Sequence, residues 1–384
     1  MIQVRNFRRF FYKTLKQPLY AMTVFGKRAL VFFYYALFNG KSPMPEAVTL
    51  FLTHKCNLRC KMCGQWGESG VTKRQSLKYV KEELTMGELK RLIDDVGPMR
   101  PSITLFGGEP LLYKDCTQLV RYIKRNNMHC LMISNGSLLD EYAESLIDAG
   151  LDELNISLDG PRELHDEIRG MPGLYGKITG GIKKLNSLKR AKGLKRPLLN
   201  LQCTITKYNY MKLEQLLDVA LETEADSLTF HNLIFLRKDL IDKQKDYDRL
   251  LGASSEDWEG FVFEPEIDAR ILYDKISYVL ANKRKLAVDF YPNLSLAGLN
   301  EYYNNPSYLP KEFRALCLSP WMTGYIFPDG EVRPCLNSTY SFGNIRGSGF
   351  KKIWNSESAL RFRRILKDKR VFPVCARCTE LYRY

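Results

Sequence analysis

Three cysteines, Cys56, Cys60 and Cys63, stand in the run Thr53-His54-Lys55-Cys56-Asn57-Leu58-Arg59-Cys60-Lys61-Met62-Cys63-Gly64, a C-x3-C-x2-C spacing. They directly follow an apolar, β-prone stretch, Val48 to Leu52. Three thiolates at this spacing can hold a cubic four-iron cluster and leave one iron without a protein ligand. A fully ligated cluster only passes electrons, whereas an open metal position can take a substrate or cofactor. A zinc knuckle usually pairs C-x2-C with a second pair nearby, and none follows here within the next thirty residues. A disulfide needs an oxidising compartment, for which nothing else in the chain argues.

Four more cysteines gather near the other end. Cys317 and Cys335 are separated by seventeen residues, and Cys375-Ala376-Arg377-Cys378 supplies a C-x2-C knuckle. Pro328-Asp329-Gly330 between apolar stretches predicts a β-hairpin, and 349–368 reads as helix. Four thiolates from a hairpin and a knuckle can converge on one centre, either a structural zinc or an iron–sulfur cluster. The remaining three of the ten cysteines, Cys116, Cys130 and Cys203, fall in predicted helix or strand and read as small buried hydrophobes.

The elements that must position these residues alternate between strand and helix. Short runs rich in Ile, Leu, Val, Phe and Thr predict strands at 48–54, 102–106, 129–134, 153–158, 199–205 and 226–231. Helical periodicity lies between them, as at Thr85 to Val96 and Leu138 to Ala149. Such alternation implies α/β architecture with a parallel sheet and right-handed crossovers. In barrels of this kind the chemistry sits at the C-terminal ends of the strands. The second predicted strand ends in Gly107-Gly108-Glu109-Pro110, where two glycines allow close backbone approach and the acid can accept from an ammonium group. The third ends in Ser134-Asn135-Gly136 and the fourth in Ser157-Leu158-Asp159-Gly160, followed by His165-Asp166-Glu167-Ile168-Arg169-Gly170. Asn-Gly and Asp-Gly also favour turns whatever the ligand. Cys203, Thr204, His231 and Asn232, on or just after the last two strands, are candidates to face the barrel interior.

Taken together, these motifs resemble the radical S-adenosylmethionine (radical SAM) superfamily. The resemblance implies a partial (β/α)6 TIM-like barrel over 46–265, a bridging segment at 266–309, and a twitch or shortened SPASM domain, a small β-hairpin and helix iron–sulfur unit, at 310–384. It further implies that Cys56, Cys60 and Cys63 hold a [4Fe–4S] cluster that binds S-adenosylmethionine, and that Cys317, Cys335, Cys375 and Cys378 hold an auxiliary [4Fe–4S] cluster. Gly107, Gly108 and Glu109 would contact the methionyl amine, Arg169 the carboxylate, and Asn135, Ser157 and Asp159 the ribose or methionyl end. The implied reaction is cleavage of S-adenosylmethionine to a 5′-deoxyadenosyl radical that abstracts a substrate hydrogen, with an electron donor such as flavodoxin or ferredoxin. An auxiliary cluster points to net oxidation of a sugar, lipid-linked or other small-molecule substrate. Ribosomal-peptide maturation, RNA modification, and a non-catalytic iron–sulfur or zinc protein are the rival readings.

Net charge is +15 and unevenly distributed. Residues 1–45 carry Arg5, Arg8, Arg9, Lys13, Lys16, Lys27, Arg28 and Lys41 with no acid, among many aromatics. The longest apolar run there, Ala29 to Phe38, falls short of the ~20 residues needed to cross a bilayer. This N-terminal basic helical segment suits an interfacial helix, giving peripheral membrane contact through residues 1–40, or a prefix packed on the barrel wall with its basic face in solvent. The run Lys183 to Arg196 lies late in a predicted helix and its following loop. It reads as a solvated face, and no RNA-binding motif accompanies it, so nucleic acid is not the expected partner. Cluster ligation and free thiols together place the protein in a reducing cytoplasm, with membrane association as the variant.

Overall fold

The computed structural model describes residues 18–309 and 315–383, with side chains from residue 26 onward. Residues 1–17, which hold five of the eight basic residues of the N-terminal prefix, lie outside the described residues. The core is a mixed sheet whose parallel strands follow the predicted alternation: β1 (Ala47–Phe51), β2 (Ser102–Phe106), β3 (Cys130–Ser134), β4 (Glu153–Ser157), β5 (Leu198–Thr204) and β6 (Ser227–His231). Neighbouring strands pair in sequence order, so all their C-terminal ends open on one side. The strand register thus brings the loops after Phe51, Phe106, Ser134, Ser157 and Thr204 to a single mouth.

Local chemistry explains the crossover helices. Thr85 opens the helix Met86–Val96 with a reciprocal cap: its hydroxyl accepts from Glu88 N, and Glu88 Oε2 accepts from Thr85 N at 2.7 Å. Such a cap contributes about 1 kcal/mol. Leu89, Leu92, Ile93 and Val96 then bury one face of that helix against the sheet. The helix Leu139–Ala149 stops at Gly150, whose φ of +82° suits the left-handed cap position.

Two features go beyond a six-unit barrel. Within 266–309 the helix Ala269–Asn282 leads into a seventh parallel strand, β7 (Ala287–Tyr291), which pairs with β6. The stretch read as a bridge therefore lengthens the sheet. At the opposite edge the C-terminal hairpin, β8 (Thr323–Ile326) and β9 (Glu331–Arg333), pairs through β8 in parallel with β1, and β10 (Gly343–Asn344) closes the series. The order β10-β9-β8-β1-β2-β3-β4-β5-β6-β7 leaves β7 and β10 as edges, so the barrel stays open. The predicted hairpin turn holds, with Gly330 at φ +87°. The helical stretch after it breaks into Phe350–Trp354 and Glu357–Lys369.

Buried Arg363 ties the chain entering β1 to this C-terminal unit. Its guanidinium donates to Pro320 O, Gly40 O and Asn355 Oδ1, and lies 4.4 Å from the Trp354 ring centre. Burial lowers its pKa to about 9. The first described helix, α1 (Pro18–Leu37), reaches the same unit, with Tyr35 edge-on to Trp321 at 5.1 Å.

Candidate active site

The cysteine loop after β1 is held by the loop after β2. Gly108 N donates to Thr53 O and Glu109 N to Lys55 O, both at 2.8 Å. The two glycines are needed for this seam: a Cβ on Gly107 would lie 2.6 Å from Thr53 O, and one on Gly108 would overlap Lys55 O. Trp66 locks the far side of the loop by donating from Nε1 to His54 O at 2.7 Å, beneath the Arg59 guanidinium.

Each of the three sulfurs faces a nitrogen donor. Asn135 Nδ2 lies 3.9 Å from Cys56 Sγ, Arg169 Nη1 lies 3.8 Å from Cys60 Sγ, and Trp66 N donates to Cys63 Sγ at 3.3 Å. Donors aimed at sulfur favour thiolates. Burial works the other way, pushing the Cys56 thiol up to about 11 and raising Cys60 as well. Such thiols stay protonated in the free protein and lose their protons to a metal centre. The donor set therefore fits three anionic sulfur ligands on a cluster.

Glu109 is fully buried, and its carboxylate accepts from Leu111 N (3.1 Å), Ser134 Oγ (2.9 Å) and Asn135 N (2.8 Å). Burial pushes its pKa up to about 7, and no cation pairs with it among the described residues. A buried acid in that state is complementary to an incoming ammonium group. Arg169 and Asp159 form a buried pair, Nε to Oδ2 at 2.5 Å, and Asp159 Oδ1 accepts from Thr204 N at 2.9 Å. Burial opposes the Arg169 charge, but Asp159 and Cys60 outweigh it and hold the guanidinium protonated. Asp159 thus reaches the mouth through Arg169. His165 Nδ1 accepts from Asp159 N, and burial lowers this imidazole to about 4, which keeps it neutral. Ser157 ends β4 half-buried, its hydroxyl making no hydrogen bond among the described residues. Cys203 and Asn232 are buried in the wall: Asn209 Nδ2 donates to Cys203 Sγ, and Asn232 pairs with Tyr303 and Pro292.

The four C-terminal cysteines influence one another's ionisation. Burial dominates in each case, raising Cys335 to about 12 and Cys375 to about 11. Charge on Cys375 also acts on Cys317, Cys335 and Cys378. Cys375 is thus electrostatically coupled to each of the other three thiols. Tetrahedral zinc would need its sulfurs about 2.3 Å from one ion. Among the described residues, neither these four cysteines nor Cys56, Cys60 and Cys63 are placed to hold a single metal ion.

A segment that carried no motif joins the two cysteine groups. Residues 253–261 pair at one end with the loop after Cys335, Thr339 N to Ser254 O at 3.0 Å. At the other end Gly260 packs on the loop after Cys63, where a Cβ would overlap Gly64 O. Asp257 lies midway. Burial raises its pKa, Arg333 opposes that, and its charge acts in turn on Cys335 and Tyr79. His54, lowered to about 4 by burial, stacks on Tyr79 at 4.1 Å beside the same space. No local signal marks Asp257, because its stretch has neither periodicity nor a recognisable turn.

A profile of the radical SAM superfamily matches residues 50–220, and one of an iron–sulfur cluster-binding domain, SPASM, matches 317–379. The chain is 26% identical over 352 residues to an Fe-coproporphyrin III synthase of Methanosarcina barkeri, covering 86% of this chain and 79% of that one. It is 27% identical over 344 residues to an AdoMet-dependent heme synthase of the same organism, covering 87% and 88%. In fold it resembles Streptococcus suis SuiB, solved with its precursor peptide SuiA, at a TM-score of 0.61 and 16% identity, covering 86% of this chain and 69% of that one.

The seam and the buried acid can each be tested. Gly108→Ala forces the two loops apart and destabilises the chain by about 1–3 kcal/mol, with reduced iron uptake on the Cys56 loop; an unchanged urea midpoint and full iron content would contradict it. Burial makes folded Glu109 hold its proton to higher pH than the unfolded chain does. Between pH 4.5 and about 7 the folded state binds more protons, so this group's contribution to stability falls as pH rises across that window. Urea melts of the metal-free chain and of Glu109→Gln across this range should diverge in that sense, the variant lacking the fall.

Proposed function

Since the chain belongs to the radical SAM superfamily and carries a SPASM-type cluster domain, we propose that it removes a hydrogen atom from an unactivated C–H bond of a small-molecule substrate and oxidises it. The two domains imply a cluster that binds S-adenosylmethionine and a second, auxiliary cluster. When bound, these groups supply a 5′-deoxyadenosyl radical and an electron acceptor.

The chain's own residues supply the rest. Cys56, Cys60 and Cys63 hold the first cluster, and Cys317, Cys335, Cys375 and Cys378 the second. Glu109 receives the methionyl ammonium on the oxygen Oε2, which accepts only from Asn135 N among the described residues. Arg169, braced by Asp159, presents its remaining guanidinium nitrogens toward the methionyl carboxylate and the Cys60 side of the loop. Ser157 offers its hydroxyl to the ribose, and Asn135 orients the loop through Asn57 at 3.0 Å. Gly107 and Gly108 serve this site through the backbone seam. Asp257 is the carboxylate placed to take the proton that a net oxidation releases.

The observation that carries this reading is the strap 253–261, which joins the loops beyond Cys335 and Cys63 and carries at its middle Asp257, an acid whose carboxylate makes no hydrogen bond among the described residues. The relatives named for tetrapyrroles, similar over most of the chain, make a tetrapyrrole the first substrate class to assay. SuiB's peptide speaks for SuiB; at 16% identity its likeness carries the fold alone. A reducing compartment and an electron donor of the flavodoxin or ferredoxin kind complete the proposal, supported by cysteines that are all free in the structure.

The test is 5′-deoxyadenosine formation by the anaerobically reconstituted protein with dithionite and S-adenosylmethionine. Cys60→Ala should bring it to background; unchanged formation would sink the assignment. Iron coproporphyrin III as probe should stimulate it, and no stimulation removes the tetrapyrrole class. Asp257→Asn should keep cleaving S-adenosylmethionine while oxidised product falls by about 10²- to 10⁴-fold; full product yield would remove Asp257 as proton acceptor.

A further inference from the structure

Helix α1 divides cleanly into two faces. Val31 is buried, Tyr35 packs on Trp321 of the C-terminal unit, and Arg28 pairs with Glu46 just before β1, which together dock the helix where the two parts meet. The opposite face presents Gly26, Ala29, Leu30, Phe33, Ala36 and Leu37, and none of these is charged. Leu30, Phe33 and Leu37 are 45%, 51% and 67% exposed, and Phe38 just beyond the helix is 39% exposed. Phe38 stacks on Tyr34 at 4.5 Å and meets Phe33 at 5.5 Å, forming an aromatic knob at the helix end. An apolar stripe on the outside of a docked helix is unusual for a face that only meets water.

The surroundings of the stripe are cationic. Lys27 and Lys41 flank it in the chain. Lys367 reaches Ala36 O at 3.0 Å and Arg364 reaches Asn39 O at 3.3 Å, bringing the basic end of the last long helix alongside. Lys369 and Arg370 follow there, and the acids nearby, Glu46, Glu357 and Asp368, are each paired with a base. In sequence, Arg5, Arg8, Arg9, Lys13 and Lys16 precede α1, and no acid precedes Glu46.

We infer that the outward face of α1 docks on an anionic lipid surface, with Leu30, Phe33, Leu37 and Phe38 in the acyl boundary and the basic rim against the headgroups. The chemistry favours lipid over a second copy of the chain, since two copies meeting through this face would set like-charged rims together. Apolar insertion and basic attraction are the two signals that give stable peripheral binding. No described helix is long and apolar enough to cross a membrane, so the contact is interfacial. It is independent of the reaction proposed above, and its failure leaves that reading intact.

The experiment is vesicle co-sedimentation of the full, cluster-loaded chain. Phosphatidylcholine vesicles are compared with vesicles that also contain phosphatidylglycerol. The chain should bind the anionic vesicles preferentially, and added salt should weaken that binding. The triple variant Leu30→Glu, Phe33→Glu, Leu37→Glu should lose at least about tenfold in binding, with melting temperature and iron content unchanged because the docked face is untouched. Equal binding by the variant, equal binding to both vesicles, or a dimer that the variant abolishes without any vesicle binding would each overturn the inference.

Discussion

The structure turns on the seam between two backbones, where the loop after β2 lies flush against the loop after β1. Only glycine at 107 and 108 permits it, because any Cβ there would strike a carbonyl oxygen of Thr53 or Lys55. Closing the seam has two effects at once. It fixes the segment from which Cys56, Cys60 and Cys63 project, and it carries Glu109 into full burial beside Ser134 and Asn135. The cysteines and the acid proposed to receive the ammonium group therefore share one rigid frame, as pre-organised sites require. The remaining mouth residues attach to this frame: Asn135 through Cys56, and Arg169 through Cys60.

The same logic extends to the second cysteine group. β8 adds to the sheet beside β1, so the hairpin bearing Cys335 grows from the strand that leads into the first cysteine loop. The strap 253–261 then spans the gap on the other side, hydrogen-bonded beyond Cys335 and packed beyond Cys63. The proposed chemistry depends on holding the two cysteine groups at a fixed separation, and the contacts on both sides of that space come from sheet and backbone.

Much of this is legible in the sequence because it rests on local chemistry. Buried parallel strands advertise themselves as short β-branched runs, and the six predicted strands lie within a few residues of those observed. The helix at Met86 follows from the Thr85–Glu88 cap, and the hairpin from Pro328-Asp329-Gly330. Other features depend on partners distant in the chain and leave no local trace. β7 is half-buried and carries Asp289 among its apolar residues, so it does not read as a strand. The pairing of β8 with β1 joins segments far apart in sequence. Asp257 acquires meaning only through its electrostatic coupling to Arg333, Tyr79 and Cys335, all distant in the chain. For α1, composition allows either an interfacial helix or a packed prefix with its basic face in solvent; the exposed apolar face of the described part becomes visible only once Arg28 is paired with Glu46 and Tyr35 with Trp321.

Two separate cluster-holding groups within one open barrel are what the proposed chemistry requires. The most direct measurement is iron, sulfide and zinc content, with electron paramagnetic resonance of the dithionite-reduced sample, for the variant with Cys56, Cys60 and Cys63 all changed to Ala after anaerobic reconstitution. About four iron and matching sulfide per chain, with the signal of a single reduced [4Fe–4S] cluster, is the predicted result. Zinc without iron, or no metal at all, would contradict it and reduce the C-terminal cysteines to a structural role.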